Sequence, residues 1–154
     1  MLDSEFQPAA SVEGTVATVA AFDFDGTLTD GGSVFPFLVS VRGYWPVLRA
    51  VALLSPELLR AALVGGTAAD QVKEKLFTRL LGGVPVDVVN ERGRRFAGEH
   101  LARHLRADTK HRLDWHRRQG HHVVIVSASP ECYVAPAAAM LGADAVVATR
   151  LAVG

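Results

Sequence analysis

The chain has 154 residues, 49% of them apolar, and balances 16 basic against 16 acidic side chains. That composition excludes a disordered chain, and the neutral balance gives no general attraction to nucleic acid or to a membrane surface. A single cysteine, Cys132, excludes a disulfide framework or a cysteine metal cluster, so the expected setting is a reducing, cytoplasmic one.

Residues 1–14, MLDSEFQPAASVEG, lack the basic start and apolar run of a secretory signal and read as a polar tail. TVATVAAFDF, residues 15–24, is a β-favouring apolar run bounded by Gly14 and Gly26, the pattern of a strand in a parallel sheet. From Ser33 to His104 the pattern is helical. FPFLVSVRGYW and PVLRAVALL read as separate apolar pieces. SPELLRAAL then opens a further helix, with Ser55 as N-cap and Pro56 as first helical residue, and Gly65-Gly66 stops it. TAADQVKEKLFTRLLGG carries Val72, Leu76, Phe77 and Leu80 at helical spacing, and VPVDVVNERGRRFAGEHLARHL follows as another helix. ADTKHRLDWHRRQG is a short helix, HHVVIVSAS a second strand, PECYVAPAAAMLG a helix and ADAVVAT a third strand.

Strands alternating with helices specify an α/β fold: a Rossmann-like parallel sheet with helices on both faces. The block between the first two strands is too long for a crossover, so it reads as an inserted helical cap. The expected division is a polar tail at 1–14, an α/β core from 15–32 and 105–154, and a cap over 33–104. PVLRAVALLSPELLRAALVGG is interrupted by Arg49, Pro56, Glu57 and Arg60, so no transmembrane segment is expected.

The chemistry concentrates at AFDFDGTLTD. Alternation puts Asp23 and Asp25 on one side of the first strand, at its carboxyl end, where ligands of open α/β sheets bind. Two like charges there repel, and a hard cation such as Mg²⁺ relieves the repulsion. Gly26 permits a tight turn and Thr27 ties it together through its hydroxyl. The second strand brings Ser127 to the same edge, with following amides available to an anion. Carboxylates, a metal and an anion cradle point to phosphoryl transfer.

FDFDGTLT resembles the first motif, DxDGT, of the haloacid dehalogenase superfamily, and VVIVSASP resembles its second. Helices inserted directly after the first motif are similar to the C1-type cap of subclass IB, the phosphoserine phosphatase-like proteins. The resemblance implies a Mg²⁺-dependent phosphatase acting through an aspartyl-phosphate. Asp23 would be nucleophile and metal ligand; Asp25 would be acid–base catalyst and metal ligand through its backbone carbonyl. Ser127, Ala128, Phe24, Gly26 and Thr27 would hold the phosphoryl group. The family's third-motif lysine and fourth-motif acidic pair are expected after ADAVVAT, where the chain ends at Gly154, with Arg150 the one cation there. The chain therefore reads as the front part of a phosphatase, and a catalytically incomplete fragment that binds phosphate or a partner is the alternative.

The glutamate that holds the substrate amine in phosphoserine phosphatases matches Gly31-Gly32 here, with Asp30 nearby. That weakens phosphoserine as substrate. The apolar cap is similar to that of relatives that include phosphatidylglycerophosphate phosphatases, so the substrate is a small phosphorylated compound or a lipid phosphate. Cys132 has Ala138 six residues on, not the arginine of a cysteine phosphatase, and reads as a packed thiol. His100 and His104 read as a solvated helix face, and His121-His122 as loop. Residues 92–122 hold nine basic side chains (Arg92, Arg94, Arg95, Arg103, Arg106, Lys110, Arg112, Arg117, Arg118) against Glu99, Asp108 and Asp114. With only Phe96 and Trp115 among them, the band reads as solvated surface, and no nucleic acid partner is expected.

Overall fold

The computed structural model describes residues 18–64 and 67–151. The expected tail at 1–14 and the Gly65-Gly66 helix stop lie outside the described residues. The element order is β1 (Val19–Asp23), α1 (Val34–Arg42), α2 (Tyr44–Val64), α3 (Thr67–Leu81), α4 (Val86–His104), α5 (Ala107–Arg118), β2 (His122–Pro130), α6 (Glu131–Leu141) and β3 (Ala145–Thr149).

The three strands form one parallel sheet in the order β1-β2-β3. Phe22 stands opposite Ile125, and Ile125 opposite Val146. Two parallel crossovers advancing in the same direction are both right-handed, which lays their helices on the same face. Burial follows that rule. Ala20, Phe22, Val123 and Ile125 are buried in one core with Leu113 of α5 and Val134, Ala137 and Leu141 of α6. The opposite face leaves Val19, Val126 and Val147 exposed at 59%, 43% and 60%. The parallel α/β sheet forms as expected, but among the described residues its helices cover one face rather than two.

The helical stretch departs from expectation at Pro56. No helix begins there: α2 runs unbroken from Tyr44 to Val64 with Pro56 inside it. Proline lacks the N–H that would reach the carbonyl four residues back, at Ala52. Ser55 supplies a donor instead, its Oγ lying 2.8 Å from the Ala52 carbonyl oxygen. The serine read as an N-cap is therefore the repair that lets the helix pass through its proline.

Packing in the helical block is uneven. Leu38, Val47, Ala50, Phe77 and Leu80 make a small core of their own between α1, α2 and α3. By contrast α4 turns Val89, Phe96, Ala97 and Leu101 into the main core. Gly93 lets α4 approach α6 closely, since a Cβ there would stand 2.2 Å from the Cys132 carbonyl oxygen. This contact holds α4 closely against α6.

Candidate active site

β1 ends at Asp23, and residues 24–29 then wind into a tight turn. One carbonyl organises it: Phe24 O accepts Leu28 N (3.1 Å), Thr29 N (3.0 Å) and Thr29 Oγ1 (3.1 Å). Gly26 sits in the turn at φ +79°, where a side chain would be strained. The Phe24 side chain is fully buried among His100 and Tyr133, so only its backbone can face a ligand.

The two aspartates end in opposite environments. Asp23 is exposed, its carboxylate touched by Thr27 Oγ1 at 3.3 Å. Asp25 is half-buried and both of its oxygens are engaged: Ser33 N donates to Oδ1 at 2.7 Å and Ser129 Oγ to Oδ2 at 2.5 Å. Ser33 Oγ lies 2.8 Å from the Tyr133 hydroxyl and 3.4 Å from Ser129 Oγ. Burial holds the Tyr133 phenol well above its usual pKa, so it is neutral.

Asp23 pairs in register with Val126, which puts Ser127 one residue beyond at the same sheet edge. The β2–β3 register shifts between Val126 and Pro130, and such an irregularity re-aims the residues within it. Ser127 is buried and its Oγ accepts from Ser129 N at 3.1 Å. The Ala128 carbonyl accepts from Thr149 Oγ1 at 3.0 Å. Asp23, Asp25, Phe24, Gly26 and Thr27 thus share one turn, and Ser127 and Ala128 lie on the neighbouring strand end. Arg150 is not part of this group; its Nε bonds Glu131 Oε2 at 2.9 Å.

Three contributors were not singled out in the sequence. Ser33 meets Asp25 across eight residues through its amide, whereas Ser129 and the Tyr133–Ser33 link come from contacts spanning about a hundred residues. The local signals were Ser33, eight residues past Asp25, and SASP, where Ser129 lies two residues past Ser127.

Of the two α4 histidines one meets the expectation and one does not. His104 is on the surface, its Nδ1 2.7 Å from Asp30 Oδ1. His100, read as solvated, is only 4% exposed. It stacks on Phe96 at 5.1 Å, with Phe24 at 6.1 Å, and its Nε2 has no hydrogen-bond partner among the described residues. The spacing of Phe96, Ala97, His100 and Leu101 places it on the buried face of α4. Burial, and then the neighbouring His104, push its pKa below 6.5, against the pull of Asp25 and Asp30. Asp30 N bonds His104 O, and Arg106 N bonds Leu28 O, both at 2.9 Å, so the two chain passages between sheet and helical block are stapled side by side. Cys132 is a packed thiol that burial pushes up to about 11.

On the helical block, Phe35, Tyr44 and Trp45 are exposed, with Tyr44 in edge contact with each of the other two. Beside Trp45 opens a cavity of about 540 Å³ whose lining includes Arg49 and Arg79. No helix among the described residues is long and apolar enough to cross a membrane.

Similarity to known proteins agrees with this architecture. The chain is 35% identical over 151 residues to Protein CicA of Caulobacter vibrioides, covering 96% of this chain. It spans 65% of the length of that curated relative. Among solved structures, a protein of unknown function from Bordetella pertussis Tohama I superposes with a TM-score of 0.66 at 20% identity, covering 87% of this chain and 61% of the other. A phospho-aspartyl intermediate analogue of phosphoserine phosphatase superposes with a TM-score of 0.58 at 20% identity, covering 90% and 58%. The profile of the haloacid dehalogenase-like hydrolases matches residues 20–154, and the chain belongs to that family.

Proposed function

We propose that this protein is a phosphatase that hydrolyses a phosphomonoester through Asp23, with Asp25 as its acid–base partner. The observation that carries the reading is the contrast between the two carboxylates at one sheet edge: Asp23 is free to approach phosphorus, and Asp25 is held on both oxygens. Environments that set a carboxylate pair apart assign nucleophile and acid–base roles.

In the first step an Asp23 carboxylate oxygen attacks phosphorus and the P–O bond to the alcohol breaks. The leaving oxygen takes its electron pair and the Asp25 proton, departing as the free alcohol. In the second step water attacks the aspartyl-phosphate, Asp25 takes the water's proton, and phosphate leaves with Asp23 restored. Ser127 and the amides of Phe24, Gly26, Thr27 and Ala128 would orient the phosphoryl oxygens.

The donor set fits a magnesium ion in part. The exposed Asp23 carboxylate and the Asp25 backbone carbonyl are hard oxygen donors, and Mg²⁺ ordinarily completes its shell with waters and substrate phosphate. Bound there, the ion would neutralise charge on the transferring group. The helical block at 33–104 would act as a cap over this edge. The substrate is a small phosphorylated compound, or a lipid phosphate if the exposed Phe35, Tyr44 and Trp45 receive an apolar tail.

A second reading, phosphate or partner binding without turnover, is favoured by one observation. Among the described residues no three carboxylate, histidine or cysteine side chains converge on a metal position. The deciding experiment is Mg²⁺-dependent hydrolysis of p-nitrophenyl phosphate, with Asp23→Asn as control. Turnover that falls at least about a thousandfold in the variant supports the enzyme. Equal rates for the two folded proteins would refute it.

A further inference from the structure

Ser33 occupies the N-cap position of α1, yet its hydroxyl makes no capping bond. That departure is informative, because serine at this position ordinarily spends its oxygen on the helix amides. Here the hydroxyl turns inward, where Ser33 and Tyr133 are fully buried and Ser129 is 3% exposed. The three hydroxyls form a continuous string that ends on Asp25 Oδ2.

Counting protons gives the string a direction. An ionised carboxylate only accepts, and a hydroxyl has one proton to give. Whenever Asp25 is the accepting carboxylate, as it is for the water's proton in the second step, the Ser129 proton goes to it and Ser129 accepts from Ser33. Ser33 has then used its proton and must accept from Tyr133, which is the one donor left. Directed strings of this kind polarise along their length, by about 10–30% per bond.

We propose that Ser129 is a positioning residue for Asp25, and that Tyr133 and Ser33 orient the Ser129 hydroxyl toward it. The Ser33 amide grips the other carboxylate oxygen, so Asp25 is fixed from two sides. Because Ser33 starts α1, while Ser129 and Tyr133 flank the start of α6, the string also ties the entry of the helical block to the second strand end. Asp25 is aimed only while those elements stay together. The catalytic consequence rests on the acid–base role proposed above; the geometric one does not.

Two measurements separate them. The first compares hydrolysis of p-nitrophenyl phosphate, whose leaving group needs little protonation, with that of an alkyl phosphate, whose leaving group needs a proton. Ser129→Ala is expected to lose at least about tenfold more rate on the alkyl ester, Tyr133→Phe a smaller part of that, and Ser129→Thr, which keeps the hydroxyl, little. Equal losses on the two esters would mean a merely structural role and would overturn the catalytic claim. The second is hydrogen exchange at the Ser33 amide, which needs no turnover. Ser129→Ala is expected to speed it about tenfold or more while Ile125 in β2 is unchanged; Tyr133→Phe, which keeps the ring, checks the same effect if Ser129→Ala misfolds. Unchanged Ser33 protection in these variants overturns the proposal. A parent chain with no Asp23-dependent turnover, but with this exchange response, removes the phosphatase reading and leaves the positioning string standing.

Discussion

Replacing Gly93 by alanine sets two opposed effects against each other in one helix. Alanine is the better helix former by about 1 kcal/mol, so on intrinsic grounds the change stabilises α4. Tertiary packing argues the other way. The new Cβ would lie 2.2 Å from the Cys132 carbonyl oxygen and 2.7 Å from its carbon, both backbone atoms of α6. Relieving that overlap requires the helices to part by roughly 1 Å, and overpacking of this sort costs about 1–3 kcal/mol or more. Because α4 and α6 are held by the main core on either side of the contact, the steric term wins. Gly93→Ala is expected to lower stability by about 1–2 kcal/mol net, a fall in Tm of several degrees. Gly98 is the internal control: it lies in the same helix, but its added Cβ would meet only Met140 Cε, at an ordinary 3.8 Å. Gly98→Ala should raise stability by up to about 1 kcal/mol. Urea denaturation of the three proteins gives the order Gly98→Ala, parent, Gly93→Ala. A Gly93→Ala protein as stable as its parent would refute the close-approach argument.

Pro56→Ala restores an N–H toward Ala52 and removes the ring from the helix interior, so it should stabilise α2 by about 1–3 kcal/mol in urea; a loss would mean the proline shapes a bend the fold requires. Buried His100 titrates below its ordinary 6.5, so the unfolded chain binds the extra proton first. Stability present above about pH 6.5 should therefore drain away as pH falls toward the lower folded value. His100→Leu should flatten that part of the pH–stability curve, and an unchanged slope would assign it elsewhere. Chelation by EDTA should abolish Asp23-dependent turnover, with recovery on adding Mg²⁺; activity indifferent to EDTA would contradict the metal role. Arg150→Ala should leave turnover within about twofold, since its guanidinium is committed to Glu131; a large loss would place Arg150 in the site.

The turn bearing the candidate nucleophile was legible because everything that shapes it is local. An apolar run ending at Asp23, a glycine at positive φ and a threonine within hydrogen-bond reach all lie within five residues. The second strand end was legible for the same reason. The proline in α2 was misread because the signal was local but ambiguous: Ser-Pro starts helices more often than it crosses them, and here the Ser55 hydroxyl bonds the Ala52 carbonyl instead of capping a new helix. His100 was misread because it lies in an Arg-rich stretch whose composition says solvent. Its partners Phe24 and Phe96 say otherwise, and one of them is far away in the chain.

By itself, then, the sequence determined the alternation of strands and helices, the parallel α/β class and the position of two aspartates at a strand end, since periodicity and turn chemistry act over a few residues. Tertiary structure decided which carboxylate is exposed and which is held, because the grip on Asp25 is completed by Ser129 and Tyr133, which arrive from about a hundred residues farther along the chain. It also decided which sheet face is covered, since the shared hand of two crossovers puts α5 and α6 on the same side. Such long-range choices belong to the folded whole, where side chains distant in sequence compete for the same space and the same few acceptors.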